Sequence, residues 1–465
     1  MTTPTSAEIQ TAAPFIQRMT AENLPEIAIR TFTYYYRQLR SGETGLIPED
    51  NIEPVTSLPD AEALPTDLST AGKRALAHTI LLKLNGGLGT SMGLQKAKSL
   101  LPVKNGLSFL DVIARQAIHS GVPLVLMNSF ATRADSLAAL ERYPQLKKDD
   151  LPLDFVQHKV PKIAQTDLTP VEWAENRALE WCPPGHGDIY PALVSSKMLD
   201  KLLAAGYKYA FVSNADNLGA VIDPLILGYF AENELPFMME VADRTPADRK
   251  GGHLARRRSD GQLILRESAQ CPPEDTAAFQ NIERHRYFNT NNLWLNLPAL
   301  KETLAAHDGV LPLPMIRNAK TVDPRNPEST PVYQLETAMG SAIVVFPGSA
   351  ALRVPRTRFA PVKTTNDLLA VRSDAYRLGE DARIRLHPVR QNRPVVVELD
   401  PAHYKLINQL DEHFPHGAPS LRHCNRFTVR GNIFFGANIT ARGDVSLDNP
   451  DPDPLTIPAG TVLGQ

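Results

Sequence analysis

Directly after the apolar run at residues 80–84, the chain reads Asn85-Gly86-Gly87-Leu88-Gly89-Thr90-Ser91-Met92-Gly93. Glycines let backbone N–H groups approach phosphate oxygens without a Cβ in the way, and successive N–H groups form an anion-binding nest. No G-K-[S/T] closes this loop, so it is not a Walker A loop. From Gly87 the spacing is G-x-G-x-x-x-G, and no acidic residue ends a second strand where a dinucleotide fold needs one. The ATPase and dehydrogenase readings therefore lose their main support, and a plain glycine turn remains the alternative. Lys98 follows closely and can reach the same phosphates as a point charge. Lys96 is also near, and the sequence separates the two only weakly.

Further along, polar residues sit where elements end. Gln157 closes a strand candidate; its amide offers one acceptor and two donors, which can match the imide edge of uracil, although a surface glutamine is the plainer reading. Pro183-Pro184-Gly185-His186-Gly187-Asp188 is a stiff, tight loop in which Gly185 permits close backbone approach and His186 can bond a phosphate or hydroxyl. Apart from Cys182, no histidine or cysteine lies near enough in the chain to build a zinc site, so a structural histidine is the alternative. Asn214-Ala215-Asp216-Asn217 follows an apolar strand, the place where open α/β sheets bind ligands. Asp216 suits Mg2+, which favours carboxylates with substrate phosphates and water; an Asx turn is the competing role. Asn289-Thr290-Asn291-Asn292 and Glu336 offer donors and acceptors for sugar hydroxyls, against the alternative of a turn. Lys363 lies in a Pro-rich basic segment with Arg356 and Arg358, where a lone lysine is ordinarily solvated.

These residues need positioning elements. Helix patterns cover residues 7–21 and 24–40 in a leader spanning 1–75. From residue 80, short apolar runs alternate with amphipathic stretches. Strands are expected at 80–84, 122–127, 153–157 and 207–212, and helices at 109–119, 131–142 and 195–205. Ser108 with Asp111 three residues on marks a capped helix start. Alternation of this kind implies parallel pairing with right-handed crossovers, hence a doubly wound α/β domain over 76–385. The charged stretch 245–290, with Arg256, Arg257 and Arg258 in a row, reads as a solvated hairpin or loop face. In the last part, 386–465, Phe427, Ile433, Ile439 and Val445 are spaced by six, and Ile457 and Leu463 resume the register. A six-residue period with intervening glycines marks a parallel β-helix, with an antiparallel sheet as the alternative. A short solenoid leaves an open end that can stack on a copy, which makes a homo-oligomer an expectation.

The run LNGGLGTSMGLQKAKSLLPVKNGLSFLDV resembles the signature of the eukaryotic-type UTP–glucose-1-phosphate uridylyltransferases. So do, in the same order, VQHKVPKI from Val156, WCPPGHGD from Trp181, FVSNADNLG from Phe211, FNTNNLW from Phe288, QLETA from Gln334 and VPRTRFAPVK from Val354. The resemblance spans about residues 80 to 380. Related N-acetylhexosamine enzymes carry glutamine where Leu88 stands. The resemblance implies a Rossmann-like, GT-A-like nucleotidyltransferase domain with a C-terminal left-handed parallel β-helix. It implies UTP binding by Leu84, Asn85, Gly86, Gly87, Lys98, Gln157, Gly185, Asn214 and Asp216. It implies sugar-phosphate binding by Gly86, Gly87, His186, Asn214, Asn289, Asn291, Glu336 and Lys363, catalysis by Lys98 and Lys363, and Mg2+ on Asp216. Which of Asn289, Asn291 and Asn292 touches sugar stays open. The implied reaction joins UTP and glucose 1-phosphate to UDP-glucose and pyrophosphate. The sugar phosphate is already a nucleophile, so positioning and electrostatics are expected to supply most of the rate. A broad UDP-sugar pyrophosphorylase and a non-catalytic nucleotide-sugar sensor are the competing readings.

Composition narrows the partners. Lys plus Arg number 49 and Asp plus Glu 51, so no basic excess points to nucleic acid or an anionic membrane. Three cysteines without a C-x-x-C pair favour a reducing compartment over a disulfide framework. The first residues lack the basic start and apolar core of a signal peptide, and no apolar run approaches the ~20 residues that span a bilayer. A cytoplasmic protein is the expectation.

Overall fold

A computed structural model describes residues 6–148 and 151–464, so residues 1–5 of the expected leader lie outside it. At its centre stands a mixed ten-stranded sheet. Its strands are β1 (Ile52–Pro54), β2 (Thr79–Asn85), β3 (Leu124–Asn128), β4 (Asp154–Val156), β5 (Tyr209–Asn214), β6 (Phe237–Asp243), β7 (His253–Arg257), β8 (Leu263–Arg266), β9 (Tyr287–Asn296) and β10 (Ala350–Arg353). The spatial order is β1-β7-β9-β5-β2-β3-β4, with β6 also on β9, β8 on β7 and β10 on β6.

The half that carries the glycine loop is parallel: β5 on β2, β2 on β3, β3 on β4. The other half departs from the expected parallel winding. There β9 runs antiparallel to both β5 and β6, and β7 antiparallel to β1 and β8. For β7 and β8 the reason lies in the connection. Parallel neighbours need a crossover of a dozen or more residues, usually a helix, whereas antiparallel ones can follow a short turn. Only a short turn joins β7 to β8.

The expected capped helix forms at Phe109–Ser120, with Ser108 and Asp111 closing a capping box and Gly121 ending it at φ 68°. One boundary differs. In place of a single helix over 195–205, the chain makes Ile189–Ser195 and Met198–Ala204, broken where Lys197 takes φ 58°. Helices Ser6–Ala21 and Glu26–Arg40 lay Phe15, Phe32, Tyr35 and Tyr36 into the same apolar cluster as Ile80, Val125 and Val212. Each such ring contributes roughly 2 kcal/mol by leaving water.

After residue 386 the pairing becomes parallel again. Val396–Leu399, Ser420–Arg430, Thr440–Asp448 and Val462–Leu463 form one ladder in that order. Ile433–Phe435 and Leu455–Ile457 form a second. Phe427, Ile433, Ile439, Val445 and Ile457 are all buried, and Leu463 packs beside them. Their cluster includes Met92, Phe109 and Leu368, so the tail shares its core with the side of the glycine loop.

Candidate active site

Strands β2, β3 and β5 end level with one another: Asn85 is in register with Asn128, and Leu84 with Asn214. Their carboxyl ends define the crevice where such a sheet binds ligands. The glycine loop spans it. Gly89 and Gly93 take φ 67° and 77°, the left-handed region a side chain disfavours. Ser129 donates its hydroxyl to the Gly86 carbonyl at 2.9 Å, and Lys98 N donates to the Gly87 carbonyl at 3.0 Å. The Leu84 carbonyl accepts from Ala215 N at 3.0 Å, fixing the loop to the Asp216 turn.

Asn85 does not turn its side chain outward. It is buried and donates to Asn128 Oδ1 at 2.7 Å and Ser136 Oγ at 2.8 Å. Asn128 in turn holds Asp154, which pairs with Arg133. The side chain thus anchors the loop, leaving its main chain for a ligand. Gln157 lies across Gly86: a Cβ on that glycine would come within 2.9 Å of Gln157 Oε1.

The two candidate lysines separate cleanly. Lys96 is exposed, whereas Lys98 Nζ meets Asp216 Oδ2 at 2.7 Å. Asp216 also ties to the segment bearing Lys363, because its carbonyl accepts from Val362 N at 3.1 Å. Asn217 doubles the tie. Its amide donates to the Arg358 carbonyl and Asn292 Oδ1, and its Oδ1 accepts from Ala360 N at 2.9 Å. Lys363 itself is exposed; its N–H caps onto Asp367 at 2.9 Å.

On the far side, the 183–188 loop docks on strand Pro331–Thr337. Thr337 N donates to the Pro184 carbonyl at 3.0 Å, and a Cβ on Gly185 would strike the Thr337 carbonyl at 2.5 Å and Glu336 Cβ at 3.1 Å. His186 Nδ1 accepts from Met339 N at 2.9 Å. That bond leaves the hydrogen on Nε2, free to donate. Burial pushes the ring down to about 4, so it is neutral at neutral pH. Gly185, His186 and Glu336 therefore form one patch; Glu336 also has Lys320 at 3.8 Å.

The asparagine run divides. Asn292 is fully buried and donates to Glu240 Oε2 at 3.0 Å, so it belongs to the interior. Asn289 and Asn291 pair with each other: Asn289 Nδ2 donates to Asn291 Oδ1 at 2.8 Å, and Asn291 N to Asn289 Oδ1 at 2.9 Å.

Two groups escaped the sequence reading. Glu267 sits against Gly252 and within electrostatic reach of Lys363; burial raises it to about 7, and Lys363 opposes that rise. No motif marks it, because the β7–β8 hairpin alone carries it there. Beneath the crevice, Arg358 forks onto Glu240 at 2.6 and 2.8 Å, with Trp294 and Asn292 completing the carboxylate's bonds. Lys83 lies beside them and donates to Ser213 Oγ at 2.7 Å and the Ala220 carbonyl at 2.9 Å. Burial holds it down at about 7. A lysine inside an apolar strand was the available signal for this network.

Asp216 fits a hard divalent ion on the chemistry of its surroundings. It is partly open to the crevice, and a cationic ammonium already rests on its Oδ2. Among the described residues no group of three or more His, Cys, Asp or Glu could hold an ion. One carboxylate completed by substrate phosphates and water is the arrangement Mg2+ commonly takes.

Comparison with known proteins agrees with this geometry. Residues 29–442 match the family model described as UTP–glucose-1-phosphate uridylyltransferase. The chain is 39% identical over 426 residues to the UTP–glucose-1-phosphate uridylyltransferase of Solanum tuberosum, covering 90% of this chain and 84% of that one. It is 40% identical over 405 residues to a probable UTP–glucose-1-phosphate uridylyltransferase of Schizosaccharomyces pombe, covering 86% and 78%. Among solved structures, a point mutant of UDP-glucose pyrophosphorylase from Leishmania major superposes with a TM-score of 0.92 at 45% identity, covering 99% of this chain and 98% of that one. A second point mutant of the same enzyme, in complex with UDP-glucose, gives 0.89 at 47% identity, covering 97% and 98%.

Proposed function

The chain belongs to the UTP–glucose-1-phosphate uridylyltransferase family, and from that membership we propose how its residues divide the work. The protein is a nucleotidyltransferase that makes UDP-glucose and pyrophosphate from UTP and glucose 1-phosphate. The observation that carries the assignment of roles is the Lys98–Asp216 pair, 2.7 Å apart beside the glycine loop and tied through Asn217 to the Lys363 segment.

The N–H groups of Gly86 and Gly87 receive the phosphates of UTP, with Lys98 as their counter-charge. Leu84 and Asn214 frame the nucleotide from the ends of β2 and β5. Gln157 reads the uracil edge, close to the backbone of Gly185. His186 donates Nε2–H to the sugar phosphate. Asn289, Asn291 and Glu336 take the hexose hydroxyls; Glu267 reaches this group through Gly252, whose carbonyl accepts from Asn289 N at 3.2 Å. Asp216 would hold Mg2+, which would supply Lewis-acid neutralisation of phosphate oxygens. Lys98 turns from Asp216 to the phosphates, and Lys363 swings onto the two substrates as the sugar-phosphate oxygen bonds to the α-phosphorus and the bond to pyrophosphate breaks, carrying negative charge onto the leaving group. No protein nucleophile and no general base takes part, because glucose 1-phosphate already carries an attacking oxygen.

The parallel ladders after residue 386 support a short left-handed β-helix that can stack on a second copy. The proposed boundary at 385 rests on the same change of pairing, and the one at 75 on the helical leader that precedes strand β2. No helix among the described residues is long and apolar enough to cross a membrane. Pyrophosphate release from UTP and a panel of sugar 1-phosphates, with Mg2+ or with excess EDTA, tests the reading. Glucose 1-phosphate is expected to be the best acceptor and EDTA to abolish release; undiminished release in EDTA would remove Asp216 from its metal role.

A further inference from the structure

Next to Gln157, His158 is buried at 6% exposure and makes contacts that the reaction as described leaves unused. Asp188, also buried at 4%, grips it twice: Oδ2 accepts from His158 N at 2.6 Å and Oδ1 meets Nδ1 at 2.8 Å. A carboxylate only accepts, so Nδ1 carries the hydrogen. On the other edge of the ring, Nε2 meets Ser195 Oγ at 2.9 Å.

The order Asp–His–Ser has the connectivity of a nucleophilic triad, but its setting differs. Ser195 ends helix Ile189–Ser195, and its hydroxyl also lies 3.3 Å from the Ala192 carbonyl. Helix C-termini present spare carbonyls, not the N–H donors that stabilise an oxyanion. The three residues form a strut.

What the strut joins is specific. Gln157 precedes His158, and Asp188 follows Gly187 and His186 in the loop that holds Gly185. The two arms already run side by side, since Val160 pairs with Cys182. Gln157 N is itself held by the Asn128 carbonyl at 2.8 Å. A bidentate grip on both the main chain and the ring of His158 therefore sets where the Gln157 amide stands relative to Gly185.

We propose that His158, locked by Asp188 and backed by Ser195, is a positioning residue that sets uracil recognition by Gln157; this rests on the reading that Gln157 contacts the base. A buried hydrogen bond to a charged partner carries about a tenfold effect or more when one side is removed. His158→Leu should raise KM for UTP by about tenfold and narrow the preference for UTP over CTP, while KM for glucose 1-phosphate stays within about twofold. His158→Asn should recover most of this, because its amide N–H can reach Asp188 as Nδ1 does.

Steady-state kinetics on the full chain, with melting temperature alongside, make the test. Unchanged UTP KM and preference in His158→Leu, or an equal rise in both substrates' KM, would overturn the proposal. Should leucine prevent folding, His158→Gln keeps the Ser195 side, loses the Asp188 side, and is judged by the same criteria. Gln157→Ala separates the two ideas. If it leaves the UTP preference intact, the uracil reading fails; if it abolishes the preference while the leucine and glutamine variants keep it, only the positioning role fails.

Discussion

Two cation–carboxylate pairs lie close together in this molecule and do opposite things. Lys98 and Asp216 meet at the crevice with side chains 16% and 25% exposed, whereas Arg358 and Glu240 meet beneath it at 8% and 0%. The deep pair is a planar fork on a carboxylate whose remaining bonds go to Trp294 and Asn292. Two charges withdrawn from water need such complete satisfaction, and removing one partner strands the other. The open pair is a single contact between a flexible ammonium and a carboxylate that solvent also reaches. Such a pair holds little stability of its own and can exchange partners. The contrast sets a fully satisfied floor beneath a pair that is free to exchange partners. Arg358 is also the residue whose carbonyl holds Asn217, so the floor reaches the site through the main chain.

The contrast can be broken from the floor upward. Arg358→Met should cost about 3–5 kcal/mol of stability, read from denaturant unfolding, because Glu240 loses its fork in a buried site. A loss below about 1 kcal/mol would make the two pairs equivalent after all. Lys363→Ala should lower kcat by about a hundredfold or more, the scale for losing one transition-state donor, while calorimetric UTP binding persists. Near-normal turnover would remove Lys363 from the chemistry. Asp216→Asn should shift unfolding by less than about 1 kcal/mol yet abolish stimulation by Mg2+; a large stability loss would place it with the floor.

The smallest effect concerns His186. Its ring resonance should titrate near 4, well below the ordinary histidine value, because burial disfavours the charged form. The unfolded chain takes up that proton at higher pH. His186 therefore adds stability above about pH 6.5, which is lost as pH falls towards 4. An NMR midpoint near 6.5 would show a solvated ring.

Much of this was legible before any coordinate. The glycine loop after its strand, the capped helix at Ser108, the strand before Asp216 and the six-residue spacing of the tail are local or periodic features, and local backbone preference writes them directly into the chain. The direction of individual side chains was not legible. On β9 the pairing with β6 shifts register between Glu240 and Val241, and Asn291 takes φ 59°. A bulge breaks the two-residue alternation, so no count along the chain could show that Asn292 points to Glu240 while Asn289 and Asn291 pair with each other. Lys98 was separated from Lys96 only by meeting Asp216, which lies 118 residues away.

By itself, then, the sequence determined which chemical groups are present, in what order, and on which kinds of element. Tertiary structure decided which of them face the crevice. It turned the Asn85 amide inward to Asn128, brought the unmarked Glu267 within electrostatic reach of Lys363, and joined His158 to Asp188. The physical reason is common to all three. Each outcome depends on which distant strands and loops become neighbours, and long-range pairing is fixed by burial of the whole core rather than by any short stretch of residues.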